Sequence, residues 1–172
     1  MRMHFRWAFL FAAILVIASA SGALAGAGGT ERPWVGSAAG EAWFDLTNPK
    51  GCAAGVTTRV DEFAITSHFG RAVYVNAHCP TGNPADAYHD SDFALIAPNG
   101  DAIYGTYTGT LDQFSEVIGE ELISTVHLTI TGGTGRFEGA TGSAVQEVRV
   151  IFEGYADLAW PYSVTWEGTL SY

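Results

Sequence analysis

The chain has 172 residues, 48% hydrophobic, 13% aromatic and 15% charged, with 21 Gly and 6 Pro. That length suits one domain with a sizeable core, and the apolar and aromatic content excludes a disordered chain. Eight Lys and Arg against 18 Asp and Glu give a formal charge of -10. Such a field repels phosphate backbones and anionic lipid, which disfavours a nucleic-acid or peripheral-membrane role.

Met1 to Arg6 is a short basic region, Trp7 to Ala18 is uninterrupted apolar sequence, and small residues follow with A-x-A sites ending at Ala20 or Ala25. This order predicts a cleaved secretory signal peptide over residues 1–25 and a secreted or periplasmic protein. The apolar run falls short of the roughly 20 residues needed to span hydrocarbon, so no stable membrane anchor is expected after cleavage. No Cys lies near the cleavage sites to carry a lipid, and Arg2 and Arg6 are not adjacent, so twin-arginine export is not indicated. Without those two arginines the mature chain carries 6 basic and 18 acidic side chains, net -12.

Cys52 and Cys79 both remain after cleavage, and an exported pair is expected to form a disulfide. Neither lies in a C-x-x-C motif, so neither a redox motif nor a zinc ribbon is supported. Free thiols are the alternative, because spacing does not fix geometry.

Residues 26–40 (GAGGTERPWVGSAAG) are small and unpatterned and read as a flexible leader, with Trp34 as one anchoring candidate. The domain is placed at residues 41–172, where a period of two dominates. Ala42, Phe44 and Leu46 face away from Asp45 and Thr47, and Val56 to Arg59 reads as a short extra strand. Phe63, Ile65, Phe69, Val73 and Val75 line one side of a long stretch, with a bulge or bend at Gly70. Ser91 to Ala97 and Ala102 to Leu111 flank Pro98-Asn99-Gly100-Asp101, a hairpin signal. Phe114, Val117, Ile118 and Leu122 match a helical face interrupted by Gly119, and allow one turn of helix there. Val126, Leu128 and Ile130 alternate with Thr125, His127, Thr129 and Thr131. Val148, Val150 and Phe152 then oppose Glu147, Arg149 and Glu153. Tyr162, Val164, Trp166, Leu170 and Tyr172 alternate with Ser163, Thr165, Glu167, Thr169 and Ser171. About eight strands result, an all-β pattern that suits an antiparallel barrel, with a two-sheet sandwich as the competing architecture.

Ile130 to Gly142 (ITGGTGRFEGATG) reads as a glycine-rich corner that returns Phe137 to the core. The segment resembles the corresponding stretches of dirigent proteins and plant allene oxide cyclases. With ITSHFGRA (65–72), YGTYTGT (104–110) and the ending EGTLSY (167–172), the chain resembles a bacterial allene oxide cyclase barrel-like protein over roughly residues 62–172. The resemblance implies an eight-stranded antiparallel β-barrel with an apolar lumen, acting without metal or organic cofactor by holding a molecule in shape. It also implies a dimer or trimer, between which the sequence does not choose. The glycine-rich corner is structural, and the functional side chains of the cyclases and dirigents do not map onto this chain.

The corner also looks like a phosphate loop, but its spacing is wrong and no helix follows. Asp86, His89, Asp90 and Asp92 place one imidazole and three carboxylates within seven residues, and read as a solvated acidic loop rather than a metal site. His68 falls by alternation on the polar face with Thr66, Tyr74, Asn76 and His78, as a general base or as an exposed structural residue. Arg71 falls on the apolar face, where Glu62, Asp61 or an anionic ligand would have to pair it; a register flip at Gly70 instead leaves it in a surface salt bridge. Tyr107, Trp166, Tyr162, Tyr172, Phe93 and Phe152 supply an aromatic lining if they point inward, whether to fill the lumen or to surround a ligand. No serine-hydrolase elbow, zincin motif or Walker loop occurs. The expected ligand-binding set is therefore His68, Arg71, Phe93, Tyr107, Phe152 and Trp166, around a small apolar or aromatic molecule. A cofactor-free cyclase or isomerase acting by confinement, and a structural protein with a closed lumen, are the alternatives.

Overall fold

The computed structural model describes residues 29–172, so the signal peptide expected over residues 1–25 lies outside the described residues. Eight strands form the chain: β1 (Arg32–Asp45), β2 (Thr57–Thr66), β3 (Gly70–Pro80), β4 (Tyr88–Ile96), β5 (Ala102–Gln113), β6 (Glu121–Gly133), β7 (Thr141–Ile151) and β8 (Ala159–Ser171). Each pairs antiparallel with its sequence neighbour, and β1 pairs with β8 to close the barrel. Closure leaves no unpaired edge and gives every strand one lumen face and one outer face. No described helix is long and apolar enough to cross a membrane.

Residues 32–40, expected to be a flexible leader, are instead the first part of β1. The small residues there are a packing requirement: Gly36 lies opposite Trp166 in β8, and a Cβ on it would come within 2.2 Å of the indole. The stretch expected as one bent strand is a tight hairpin between β2 and β3, with Gly70 at φ 66°. Val56 to Arg59 is not a separate strand, since Thr57 begins β2. No helical turn forms over residues 114–120, where Gly119 takes a φ of 89°; Leu122 belongs to β6 instead.

The facing of β2 and β3 is the reverse of that expected. Phe63 and Ile65 are 62% and 72% exposed on the outer wall, while Val60, Ala64, Ala72 and Tyr74 are buried inside. Interior space explains the inversion. On β2 and β3 the lumen takes Val60, Ala64 and Ala72, which are smaller than Phe63 and Ile65, and the hydrogen-bonded Tyr74. Outside, the Arg71 guanidinium lies 4.4 Å from the Phe63 ring centroid. In β6, β7 and β8 the expected alternation holds, with Val126, Leu128, Ile130, Val148, Val164, Trp166 and Leu170 buried.

One end of the barrel is plugged. Trp34 packs on Trp166 with centroids 5.7 Å apart and donates from Nε1 to Thr66 Oγ1 at 2.8 Å. Phe137, fully buried, stacks on Phe69 at 4.2 Å. The glycine-rich corner places it there: Gly135, at φ 60°, starts the short turn Gly135–Phe137. The two ends of the described chain meet at this plugged end, where Ser171 Oγ donates to the Gly29 carbonyl.

The opposite end is the mouth, bounded by the β1–β2, β3–β4, β5–β6 and β7–β8 loops. The β1–β2 loop is tied to β3 by a Cys52–Cys79 disulfide, as expected. Asn48 reinforces it, accepting from Cys52 N at 2.8 Å and donating to Cys52 O at 3.0 Å. With 27 residues of sequence separation, the cross-link is predicted to contribute about 3–4 kcal/mol by restricting the unfolded chain. Replacing both cysteines by serine should lower the urea midpoint accordingly while the far-ultraviolet circular dichroism stays native. An unchanged midpoint would show that the hydrogen bonds hold the loop without the cross-link.

Candidate functional site

The mouth half of the lumen holds a cavity of about 190 Å³. Its rim is apolar. Phe44, Leu111, Leu122, Val150 and Trp160 line it and lie near the mouth ends of β1, β5, β6, β7 and β8. Outside this rim, Phe152 packs on Trp160 with centroids 5.0 Å apart. Deeper along the strands the lining becomes polar, with Tyr74, Asn76, Tyr107 and Gln146. Among the described residues, no Asp, Glu, Lys or Arg lines this cavity.

Alternation along β3 puts Tyr74, Asn76 and His78 on the lumen side, while Cys79, next to His78, turns outward to the β1–β2 loop. A register shift between Ala77 and Cys79, where Asp90 of β4 takes a φ of 46°, brings both Tyr88 and Ser91 inward. Tyr107 in β5 is then held at both ends. Its backbone N–H donates to Ser91 Oγ at 3.2 Å. Its hydroxyl lies 2.9 Å from His78 Nδ1 and 3.4 Å from Asn76 Oδ1. Gln146 in β7 donates from Nε2 to the Tyr74 hydroxyl at 3.1 Å. One group is left over: Thr58 Oγ1, which lines the cavity, is buried and makes no hydrogen bond.

Burial sets the charge state of this wall. It pushes the His78 imidazole down to about 3, with the Lys50 charge acting in the same direction. It pushes Tyr88 up to about 12 and raises Tyr74, Tyr107 and Tyr162. The cavity is therefore lined by neutral hydrogen-bonding groups across the physiological range.

Of the six residues expected at the ligand, only Tyr107 lines the cavity. Trp166 and Phe93 point inward below it, packed against Tyr74 at 5.7 and 6.4 Å. Phe152 follows β7 and backs the rim. His68 sits in the hairpin turn at the plugged end, its Nε2 donating to the Pro33 carbonyl at 2.7 Å. Arg71 lies on the outer wall over Phe63. Glu62 does not pair with it but accepts from the Glu41 N–H at 2.8 Å. In the acidic loop, Lys50 Nζ lies 2.6 Å from Asp92 and 3.6 Å from Asp90. Thr58, Asn76, His78 and Gln146 are cavity residues that alternation alone assigned to wet faces or passed over. The signal that finds His78 is its neighbour: a cysteine cross-linked to an outside loop forces the adjacent residue inward.

Two predictions follow from these groups. An unpartnered buried hydroxyl costs about 1–3 kcal/mol, so Thr58→Val should stabilise the protein by about 1 kcal/mol, a melting-temperature gain of roughly 2–4 °C. A lower melting temperature would mean that the hydroxyl is satisfied in solution. For His78, the folded state stays neutral to about pH 3 while the unfolded chain titrates near 6.5. The unfolded state thus binds the extra proton between those values. Stability is full above pH 6.5 and falls on acidification, at up to about 1.4 kcal/mol per pH unit. Urea midpoints between about pH 6.5 and 4.5 should show this slope in the native protein and a flatter one in His78→Gln.

No protein-family model, no curated protein and no solved structure matches this chain. What the barrel does is therefore to be read from its own lining.

Proposed function

We propose that this is an exported, non-catalytic barrel that holds one small apolar or aromatic molecule in the mouth half of its lumen. The observation that carries this is the uneven filling of a closed barrel. Aromatic side chains plug one end, and a cavity of about 190 Å³ with an apolar rim occupies the other. An apolar cavity of about 150 Å³ accepts benzene, so a single substituted ring is the size that fits. The Cys52–Cys79 disulfide supports export, since such bonds persist in oxidising compartments. The eight-stranded closed barrel and the buried Phe137 corner support grouping the chain with allene oxide cyclase-like and dirigent-like proteins.

Catalysis by confinement is the weaker reading. The cavity wall offers a histidine and no carboxylate, and burial lowers that histidine to about 3, which makes it a poor base near neutral pH. The binding reading is tested with ethylbenzene as probe, by melting temperature and by the tryptophan fluorescence to which Trp160 in the rim contributes. Saturating probe should raise the melting temperature by several degrees, since about 100 Kd of ligand adds about 2.7 kcal/mol. Ala42→Phe, which projects a ring into the cavity, should abolish that shift. No shift in the native protein, or an equal shift in Ala42→Phe, would remove the lumen as the binding site.

A further inference from the structure

We propose that Thr58 and His78 form a polar recognition point in the lumen, and that the molecule held there is an uncharged alcohol or ketone rather than a carboxylic acid. This rests on the lumen-binding reading and specifies its chemistry. Thr58 and His78 are directly opposite each other across the β2–β3 ladder, and both line the cavity. The Thr58 hydroxyl is buried without a partner in the protein, so an oxygen brought beside it satisfies a group that is otherwise left unmet.

His78 is built to serve the same oxygen. Its Nδ1 is occupied by the Tyr107 hydroxyl at 2.9 Å, and its ring stands edge-on to Tyr88 at 4.7 Å, so its orientation is fixed. His78 Nε2 is used by no described hydrogen bond and donates or accepts according to the ring tautomer, because the Tyr107 hydroxyl proton can go to His78 Nδ1 or to Asn76 Oδ1. A ketone oxygen can accept from Thr58 Oγ1, and from His78 Nε2 where that nitrogen carries the ring proton. An alcohol both donates and accepts, so it can pair with Thr58 Oγ1 and with His78 Nε2 in either tautomer. A carboxylate would be desolvated with no cation in the lining. Lys50 does not supply one, because its ammonium is held by Asp92 and Asp90. The apolar body of the ligand then lies against the Leu122, Val150 and Trp160 side of the rim.

Four probes of similar size separate the possibilities in calorimetric titrations at pH 7: ethylbenzene, acetophenone, 1-phenylethanol and phenylacetate. Acetophenone and 1-phenylethanol should bind about tenfold tighter than ethylbenzene, the scale of one buried hydrogen bond. Phenylacetate should bind at least about tenfold more weakly than acetophenone. In Thr58→Val, which preserves shape, the acetophenone affinity should fall to within about threefold of the ethylbenzene affinity measured on the same variant. The proposal is overturned if ethylbenzene binds and the oxygenated probes bind no tighter. It is overturned equally if Thr58→Val keeps their preference, or if phenylacetate matches acetophenone. Should none of the four bind the native protein, the lumen-binding reading itself fails, and this proposal with it.

Discussion

The seam between β1 and β8 closes the barrel, and the interior takes its shape from that closure. Once eight strands form a ring, the width of the lumen is fixed, and side chains on facing walls must share it. At the plugged end the division is extreme: β8 contributes Trp166, and β1 answers with Gly36 opposite it. Trp34, one turn of the pleat further along, meets the same indole and ties itself to Thr66 of β2. Without β1 in place, Trp166 would lose its floor and β2 and β8 would become open edges.

The two halves of the lumen are governed by different chemistry. Below, aromatic rings fill space, and among them Trp34 donates its indole N–H to Thr66. Above, the wall is a set of phenols, amides and one imidazole that satisfy one another in pairs: Tyr107 with His78, Tyr74 with Gln146. Paired neutral groups can stay buried at modest cost, whereas a charge in the same place needs a counter-ion. The described charged residues of this acidic chain accordingly lie outside the core, where Lys50 bridges two aspartates and Arg149 spans Glu121 and Glu147. The interior is therefore organised by shape and hydrogen bonding, and the exterior by charge.

The all-β class, the strand count, the Asn99-Gly100 hairpin and the cysteine pair were legible because each is a local pattern. Period two shows where a strand is, but it does not say which face looks inward. Where one row is clearly apolar, as in β6 and β8, hydrophobicity decides correctly. In β2 and β3 both rows are mixed, and the lumen took Ala64, Ala72, Tyr74 and His78 while Phe63 and Ile65 went outside. The cavity residues were thus hidden in a row that looked wet. Residues 32–40 were misread for a related reason: glycine and alanine read as flexibility until the indole that requires them is placed.

Gly29 and Ser171, at the two ends of the described residues, meet at the plugged end, so the barrel itself does not depend on where along the ring the strands are joined. Ser171 already touches Gly29 across the seam, so a short linker could join them without crossing the barrel. The chain could then be reopened at Gly119 in the β5–β6 loop, beside the mouth. Such a rearranged protein would carry its new ends next to the cavity, so that a fused segment could be delivered to the mouth or held over it as a cap.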